Sequence, residues 1–547
     1  YDCCWWHLSE WLNELRNNEE ITEKIHRNKI LVFSTLPYWI NYSLALSVVL
    51  LGKKIDVDAG KELFILMHQH DANDLGVKEG DVVLLGYRDI ELYVKLIVTE
   101  SEIKEGEVGL YSDICEEYHI PNGRKLMIDI PEPSVALDAI RKKLSGQRLN
   151  EEELVTIMND IGSRRLKETE IAFFVSTFFS PGFSDDEIYW MTKGMAQSGD
   201  ILDFRFIKSN RDLVVDKHSI GGTAGKGITP VLVPILASAG FVVPNTSTRA
   251  ITSPAGTTDI LETVMPVSLN KEEVYKVVEK TGACMVWGGA LYLAPADDEI
   301  INVERSLRIQ EFQKVLVSIV AKKIAMGATF VLIDLPYGKG TKIEKPDDLE
   351  FLSREFVELF AKFNIKCVTH KRLVKGPDGN GIGPVLEMRE CLRVLERHEK
   401  RPIDLENTVV SMAVEILEGS GKVRKGKGKE VVQELLDSGK ALKKFWNIAK
   451  AQGAEKVIKS DDLKIGKIKK DIKSERSGIV KSINTREIVE IARSLGTPAI
   501  KEAGIYIEKM PGDEVKEGEV LMTLYATTQD RMDAGVSAVD LQALYEF

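Results

Sequence analysis

Residues Leu213–Gly227 read LVVDKHSIGGTAGKG, and this stretch decides the fold of the central part of the chain. Its first three residues are typical of a buried strand, and an apolar helical run follows Gly227. The glycines between them allow backbone N–H groups to converge on an anion, to which the following helix presents its positive N-terminal end. The stretch therefore predicts a strand, a phosphate-binding loop and a helix in succession. A tight glycine turn beside a packed histidine, His218, is the alternative interpretation.

The glycine spacing of this loop differs from two common nucleotide motifs. It matches neither G-x-G-x-x-G nor G-x-x-x-x-G-K-[ST], so neither a dinucleotide site nor a nucleoside-triphosphate P-loop is supported. A second polar stretch, Asn245–Asp259 (NTSTRAITSPAGTTD), follows the apolar pair Val242-Val243. Its hydroxyl groups and single arginine suit a polar ligand, and a capped helix start is the alternative.

The segments around these loops predict a multidomain α/β protein. From Leu213 to about residue 395, strand-like runs alternate with helical stretches at 308–326 and 348–364, which indicates an α/β lobe with a mostly parallel sheet. Apolar residues at helical spacing over 135–205 indicate a helical lobe. Apolar runs separated by turns predict a small β-rich N-terminal domain and a β-rich, barrel-like C-terminal domain.

The domain boundaries are placed where these patterns change. A chain of 547 residues is long enough for about three to four domains. Because the first methionine is Met67, one hypothesis is that translation starts near Val48 to Leu51 and that the residues before it are not native. The expected segments are an atypical N-terminal extension at 1–51, a β-rich domain at 52–133, a helical lobe at 134–210, an α/β lobe that binds phosphate and nucleotide at 211–464, and a C-terminal domain at 465–547.

The uncharged run Ile30–Gly52 is long enough to span a membrane. Pro37, Asn41 and further polar residues dilute it, and the sequence before it is too long and too acidic for the start of a signal peptide. We therefore predict no membrane association.

Composition narrows the class of protein further. Lys and Arg number 73 against 84 Asp and Glu, and the resulting net charge of −11 argues against nucleic-acid binding driven by electrostatics. The six cysteines form no C-x-x-C pair and are too sparse for a disulfide framework. We therefore expect a reducing, cytoplasmic location and no thiolate metal site.

Several motifs together resemble one family. Asp216–Gly222 reads DKHSIGG, which is close to the DKHSTGG of thymidine and pyrimidine-nucleoside phosphorylases, and Thr248–Gly256 (TRAITSPAG) is similar to a motif of archaeal AMP phosphorylases. The resemblance covers roughly residues 52–547 and includes a β-rich N-terminal domain that the thymidine enzymes lack. Further stretches similar to archaeal AMP phosphorylases follow in the same order at Val286–Ala290, Leu293–Asp298, Ser318–Lys323 and Gly338–Lys342.

The resemblance implies phosphorolysis of AMP in AMP salvage, in which phosphate attacks C1′ of the ribose and adenine and ribose 1,5-bisphosphate are released. It implies no metal and no other cofactor. The implied partners are AMP, inorganic phosphate and further copies of the chain in a homodimer or higher homo-oligomer, with no nucleic acid and no membrane. A helical lobe and an α/β lobe would face each other across the cleft, with phosphate on the α/β side.

The resemblance also implies roles for individual residues. His218 would polarise or protonate the leaving base, or would serve as a structural hydrogen-bonding histidine. Phosphate would be held by Lys217, Ser219, Gly221 and Thr229. The nucleotide would be contacted by Gly222, Thr248, Arg249, Ala250, Ile251, Thr252, Ser253, Thr257, Ser318 and Lys342.

This sequence departs from the family at two places. The AMP enzymes carry an aspartate as proton donor eight residues before the serine that is Ser318 here, and this chain has Gln310 there. An amide cannot donate a proton as an acid does, and the adjacent Glu311 would need a local shift in helical register to replace it. In the glycine loop the lysine is displaced by one position, to Lys226, and a hydroxyl is lost that Thr229 would replace.

Two alternative functions stay open. Lys217 matches the thymidine enzymes at a position where AMP enzymes often have an apolar residue, which favours a pyrimidine-nucleoside or thymidine phosphorylase. Gln310 fits a catalytically weakened relative that binds nucleotides without releasing a base. In each case the cleft of this acidic protein must be locally positive. The candidates for that charge are Lys217, Lys226, Arg249, Lys322 and Lys342.

Overall fold

The computed structural model describes residues 47–57, 63–204, 206–207, 213–221, 223–225, 227–250, 253–307 and 311–547, with the backbone alone for 305–307. Its contacts divide the chain after Ser134, and Val135–Phe547 forms the second compact unit.

The first unit contains a closed barrel of six strands in the order β1-β5-β2-β4-β3-β6. Antiparallel pairing of β1 with β6 closes it. Because β1 begins at Ser47, it crosses the expected boundary at 51/52, and residues 1–46 lie outside the described ones. The strands are β1 (Ser47–Ile55), β2 (Phe64–His68), β3 (Val82–Tyr87), β4 (Ile90–Thr99), β5 (Glu107–Tyr111) and β6 (Lys125–Asp129), and the helices are α1 (Gln69–Leu75) and α2 (Ser112–Glu117).

The second unit begins with a bundle of four helices, as the spacing of apolar residues predicts. Asn150 and Glu153 start the second helix with a capping box, in which each side chain accepts the backbone N–H of the other residue at 2.8–2.9 Å. Inside the bundle, Lys143 and Glu187 form a buried ion pair 2.7 Å long. The helices are α3 (Ala136–Leu144), α4 (Glu151–Gly162), α5 (Glu168–Ser176) and α6 (Asp185–Gln197).

A parallel sheet follows, which confirms the predicted α/β lobe. Its strands pair in the orders β11-β10-β7 and β8-β9, and a parallel bridge between Val214 and Val242 joins the two groups. The strands are β7 (Val215–Ser219), β8 (Val243–Ser247), β9 (Ala283–Trp287), β10 (Phe330–Tyr337) and β11 (Lys366–Leu373).

Helices cover both faces of this sheet. Along β10, Phe330 and Leu332 point into one apolar core, and Val331 and Ile333 point into the other, as the two-residue period of a strand requires. The helices are α7 (Ile228–Ser238), α8 (Thr257–Leu261), α9 (Lys271–Thr281), α10 (Pro295–Leu307), α11 (Phe312–Ala325), α12 (Pro346–Lys362), α13 (Pro384–Leu395), α14 (Ile403–Gly419), α15 (Gly428–Asp437) and α16 (Lys440–Ala451), with short 3₁₀ turns at Gly288–Ala290 and Ser460–Asp462.

The C-terminal part is β-rich, and one of its sheets extends into the α/β lobe. A strand before α13, β12 (Gly381–Ile382), forms the edge of a four-stranded antiparallel sheet in the order β12-β16-β18-β13. The remaining strands form two short ribbons, β14-β17 and β15-β19. The elements are β13 (Ile468–Lys473), β14 (Gly478–Ile479), β15 (Ser482–Ile483), α17 (Thr485–Ser494), β16 (Gly504–Ile507), β17 (Glu514–Val515), β18 (Val520–Ala526), α18 (Gln529–Ser537), α19 (Leu541–Leu544) and β19 (Tyr545–Glu546).

Two predicted elements differ in detail from the structure. The helix expected at 308–326 begins only at Phe312, because Glu311 has an extended backbone (φ −117°, ψ 137°) and its side chain caps the helix. None of the described helices is long and apolar enough to cross a membrane. Of the uncharged run at 30–52, the last six residues belong to β1 and the others lie outside the described residues.

Helix α12 offers a matched test of the core. Phe356 is fully buried, whereas its neighbour Val357 is 40% exposed. We expect Phe356→Ala to lower the free energy of unfolding by about 3–5 kcal/mol, because it removes a buried ring and leaves a cavity. Val357→Ala should change it by about 0.5 kcal/mol or less. Urea denaturation followed by circular dichroism measures both, and equal losses would contradict this packing.

Candidate active site

The predicted phosphate strand is fixed by a buried carboxylate, Asp216 on β7. Its Oδ2 lies 2.6 Å from Nζ of Lys323 on α11, and its Oδ1 accepts hydrogen bonds from Nδ2 of Asn245 at 2.7 Å and from the backbone N–H of Lys217 at 2.8 Å. Asp216, Asn245 and Lys323 are all buried. This one carboxylate therefore ties together β7, β8 and α11, which carry most of the predicted site residues.

Lys217 and Ser219 lie beside a second buried carboxylate, Asp334 on β10. Nζ of Lys217 is 3.9 Å from Oδ2 of Asp334, and Arg372 donates to both of its oxygens at 2.8 and 3.3 Å. Although burial opposes ionisation, Arg372, Lys217 and Ser219 lower the pKa of Asp334 below its ordinary value. Gly221 N–H donates to Oγ of Ser219 at 3.3 Å, so the start of the loop folds back on the strand.

His218 lies between Lys217 and Ser219 at the end of β7, among several lysines. Its burial, followed by the charges of Lys323, Lys217, Lys322 and Lys342, lowers the pKa of His218 well below its ordinary value of 6.5. The imidazole is therefore neutral at pH 7. As lysines reach it from β7, from α11 and from the loop after β10, this is also the point at which the positive charge of the site converges.

The glycine loop between β7 and α7 needs left-handed backbone at two described positions, Gly221 (φ 84°) and Gly225 (φ 75°). A Cβ atom on Gly225 would lie 3.2 Å from the backbone nitrogens of Asp378 and Gly379. Asp378 N–H in turn donates to the carbonyl of Ala224 at 3.2 Å. Thr229 lies in the first turn of α7 and is buried, whereas Gly222 and Lys226 lie outside the described residues.

The second predicted loop, after β8, is organised by Asp259 on α8. Its Oδ2 accepts the backbone N–H of Ala250 at 2.7 Å and of Gly256 at 2.8 Å, which brings the two ends of the loop together. A Cβ atom on Gly256 would lie 2.4 Å from the carbonyl oxygen of Thr248, so only glycine fits there. Ser253 donates to the carbonyl of Ala255 at 2.8 Å. Thr257 is the first residue of α8, and Ile251 and Thr252 lie outside the described residues.

Arg249 of this loop is held by an acid. Its Nη1 and Nη2 donate to the two oxygens of Glu262 at 2.8 and 2.7 Å, and its guanidinium lies 5.0 Å from the centre of the Trp287 ring. Lys501 also donates to Glu262. Arg249 first, and then Lys501, lower the pKa of Glu262 to about 2 against the opposing effect of burial.

Ser318 and Lys322 on α11 share one buried partner, Asp297 on α10. Ser318 donates to Oδ1 of Asp297, and Nζ of Lys322 lies 2.7 Å from Oδ2. Although burial favours the neutral acid, Lys322 and Lys314 lower the pKa of Asp297 below its ordinary value. Lys342, in the loop after β10, is exposed.

The two predicted proton donors have different outcomes. Gln310 lies outside the described residues. Glu311 accepts the backbone N–H of Lys314 at 3.0 Å as the cap of α11, and burial raises its pKa above the ordinary value. Its carboxylate is therefore used to begin the helix that carries Ser318.

Sequence reasoning did not assign the acids that hold these cations. Asp216 and Asp297 lie inside the motifs that carry the family resemblance, so their position was a usable signal. Asp334, Glu262 and Arg372 lie outside those motifs, and only the folded chain brings them to the site.

Three parts of the chain match known families. Residues 137–199 match the family described as "Glycosyl transferase family, helical bundle domain", residues 211–442 match "Glycosyl transferase family, a/b domain", and residues 479–545 match "Pyrimidine nucleoside phosphorylase C-terminal domain".

Whole-length relatives are more specific. The chain is 37% identical over 482 residues to the AMP phosphorylase of Thermococcus sibiricus, covering 88% of this chain and 94% of that protein. It is 38% identical over 484 residues to the AMP phosphorylase of Methanocaldococcus jannaschii, with coverage of 88% and 94%. The chain belongs to the AMP phosphorylase family.

Membership of the AMP phosphorylase family confirms the resemblance and the prediction of an enzyme of the glycosyltransferase class. The multidomain α/β fold with a helical lobe is confirmed as well. Among solved structures, anthranilate phosphoribosyltransferase from Thermus thermophilus has a TM-score of 0.48 at 19% identity, covering 58% of this chain and 99% of that chain.

The environment of His218 predicts a pH dependence of stability. As its pKa in the folded protein is below 6.5, the unfolded chain takes up a proton first when the pH falls. We therefore expect the free energy of unfolding to fall below about pH 6.5, and His218→Gln to fall less steeply. Urea denaturation between pH 7.5 and 5.5 measures this. His398→Gln is the control, since it removes a histidine beside Asp461 and leaves the lysines around His218 intact. Identical slopes for wild type and His218→Gln would refute the assignment.

Proposed function

We propose that this chain cleaves AMP by phosphorolysis. Phosphate forms a bond to C1′ of the ribose, the bond between C1′ and adenine breaks, and ribose 1,5-bisphosphate and adenine leave. The observation that carries the proposal is the convergence of Lys217, Lys322, Lys323 and Lys342 on His218 in a chain whose net charge is −11. Such a local concentration of positive charge suits a site for two anionic substrates.

In this proposal the glycine loop holds inorganic phosphate. Lys217 supplies charge, Ser219 and Thr229 supply hydroxyl groups, and Gly221 and Gly222 allow the backbone to approach the anion. Asp334 and Arg372 keep Lys217 and Ser219 in place from below. Donors fixed in this way stabilise the charge that develops on the phosphate oxygens without having to reorganise during the reaction.

The nucleotide would lie between the loop after β8 and α11. Its contacts are assigned to Gly222, Thr248, Arg249, Ala250, Ile251, Thr252, Ser253, Thr257, Ser318 and Lys342. Asp259 supports this assignment, because it fixes the loop ends at Ala250 and Gly256. Asp297 does the same for Ser318.

The leaving base would be stabilised by hydrogen bonds. Glu311 is engaged with the N-terminus of α11, and His218 is neutral, so neither is poised as a strong acid. The N–H of Gln310 and the N–H of His218 are donors that a purine nitrogen can accept. The electron pair of the broken bond then moves onto the base, which takes its proton from water.

We also propose that the enzyme is a homodimer or higher homo-oligomer in the cytoplasm. Exposed aromatic residues on the helical bundle, Phe173 (61%) and Phe179 (51%), support self-association. The four described cysteines are free thiols, which is consistent with a reducing compartment. Light scattering coupled to gel filtration tests the first proposal.

A pyrimidine-nucleoside phosphorylase is the second candidate. The match of residues 479–545 to a pyrimidine nucleoside phosphorylase domain favours it, as does Lys217. It predicts base release from uridine or thymidine, which lack the 5′-phosphate.

The deciding assay measures free base released from AMP, CMP, uridine and thymidine, each with and without phosphate. We expect adenine from AMP only when phosphate is present, with one ribose 1,5-bisphosphate formed for each adenine. Release from uridine or thymidine instead would establish the second candidate. No release from any substrate, together with retained AMP binding, would identify a catalytically weakened relative.

Restoring an acid at position 310 should accelerate the reaction. We expect Gln310→Asp to raise kcat for AMP by about 10²-fold, the lower end of the range for general acid catalysis. Gln310→Asn is the matched control, because it shortens the side chain equally without introducing an acid, and it should not raise kcat. Steady-state kinetics at pH 7 compares the two. If Gln310→Asp is no faster than wild type, position 310 is not adjacent to the leaving base.

A further inference from the structure

A chain of charged groups connects the loop after β8 to the C-terminal part of the protein. Nη1 and Nη2 of Arg249 donate to the two oxygens of Glu262, at 2.8 and 2.7 Å. Oε2 of Glu262 also accepts from Nζ of Lys501, which lies just before β16. Lys501 is itself anchored, because its carbonyl accepts the backbone N–H of Val385 on α13 at 3.1 Å.

This arrangement orients Arg249 without using up its donors. A guanidinium carries five N–H groups, and Glu262 takes one from each terminal nitrogen, so three are left for other partners. Asp259 lies 3.6 Å from Nη1, and the ring of Trp287 lies against the guanidinium at 5.0 Å. The planar group is thus fixed by an acid at one end and an aromatic ring, which suits recognition of an oxyanion by a second pair of N–H groups.

The charge balance shows why a second cation is needed. Glu262 and Asp259 carry two negative charges, and Arg249 alone offsets one of them. Without Lys501 the surroundings of Arg249 would be net negative and would repel a phosphate group. With Lys501 bound to Glu262 the four groups sum to zero, so an anion meets no net repulsion there.

We propose that Glu262 and Lys501 are positioning residues for the 5′-phosphate of the nucleotide, acting through Arg249. The proposal rests on the proposed function for the identity of the substrate. It assigns to the C-terminal part of the chain a share in substrate specificity, because Lys501 distinguishes a nucleotide from a nucleoside without touching either.

The test compares Lys501→Met with Lys501→Arg. We expect Lys501→Met to raise KM for AMP about tenfold, the effect of one lost charge-assisted hydrogen bond, with kcat within about twofold. KM for phosphate and the rate with adenosine, which lacks the 5′-phosphate, should not change. Lys501→Arg should restore KM to within about twofold. Lys516→Met removes an exposed lysine of the same C-terminal part and is the control.

A double-mutant cycle shows whether Lys501 acts through Glu262. Glu262→Gln should also raise KM for AMP, and adding Lys501→Met to it should change KM by less than about twofold. Full additivity, an equal loss with adenosine, or an unchanged KM in folded Lys501→Met would overturn the proposal. Thermal denaturation of each variant confirms folding.

AMP binding measured by calorimetry separates this inference from the proposed function. If wild type binds AMP but releases no adenine, the proposed function fails, and the same variants are then compared by their Kd for AMP and adenosine. Weaker AMP binding in Lys501→Met still supports the inference, and unchanged binding refutes it. If wild type binds no AMP, both fail.

Discussion

The buried pair of Asp216 and Lys323 is the interaction on which the site depends. A buried carboxylate without a partner is very costly, so Asp216 must remain close to Lys323 and Asn245 for the chain to fold. Satisfying that requirement fixes the relative position of β7, β8 and α11. These three elements lead into the glycine loop, the loop after β8, and Ser318 with Lys322. The electrostatics of the interior therefore determine the geometry of the surface that meets the substrates.

The same principle explains how an acidic protein maintains a positive cleft. The acids near the site are placed behind the cations: Asp334 lies behind Lys217, and Asp297 lies behind Lys322. Each carboxylate compensates the cost of desolvating a lysine and leaves its charge directed to one place. The lowered pKa of His218 records the result, because a neutral imidazole is what a cluster of unneutralised positive charge selects. The net charge of −11 is thus a property of the whole surface and not of the cleft.

Much of this was predictable because it is local in sequence. The strand, glycine loop and helix around Asp216 follow from the order of apolar residues and glycines, and the parallel sheet follows from alternating elements. The start of α11 was predicted wrongly, since a glutamate at the first turn reads equally well as helix interior or as cap, and here Glu311 caps. The pairing of Glu262 with Lys501 joins residues 239 positions apart, and no local pattern carries such a contact. Sequence therefore located the substrate loops and missed what supports them.

The supports lead to a conclusion about the C-terminal part. It reaches the glycine loop, because the segment that packs against Gly225 continues into β12, the edge strand of the C-terminal sheet. It also reaches the loop after β8, through Lys501 and Glu262. Both loops expected to contact substrate are therefore braced from the same side, by elements far apart in the chain. Since a loop that must bind an anion cannot satisfy its own charges beforehand, an external brace is the physical means of keeping it preorganised. The C-terminal part of this family member is consequently a component of the active site and not an appendage to it.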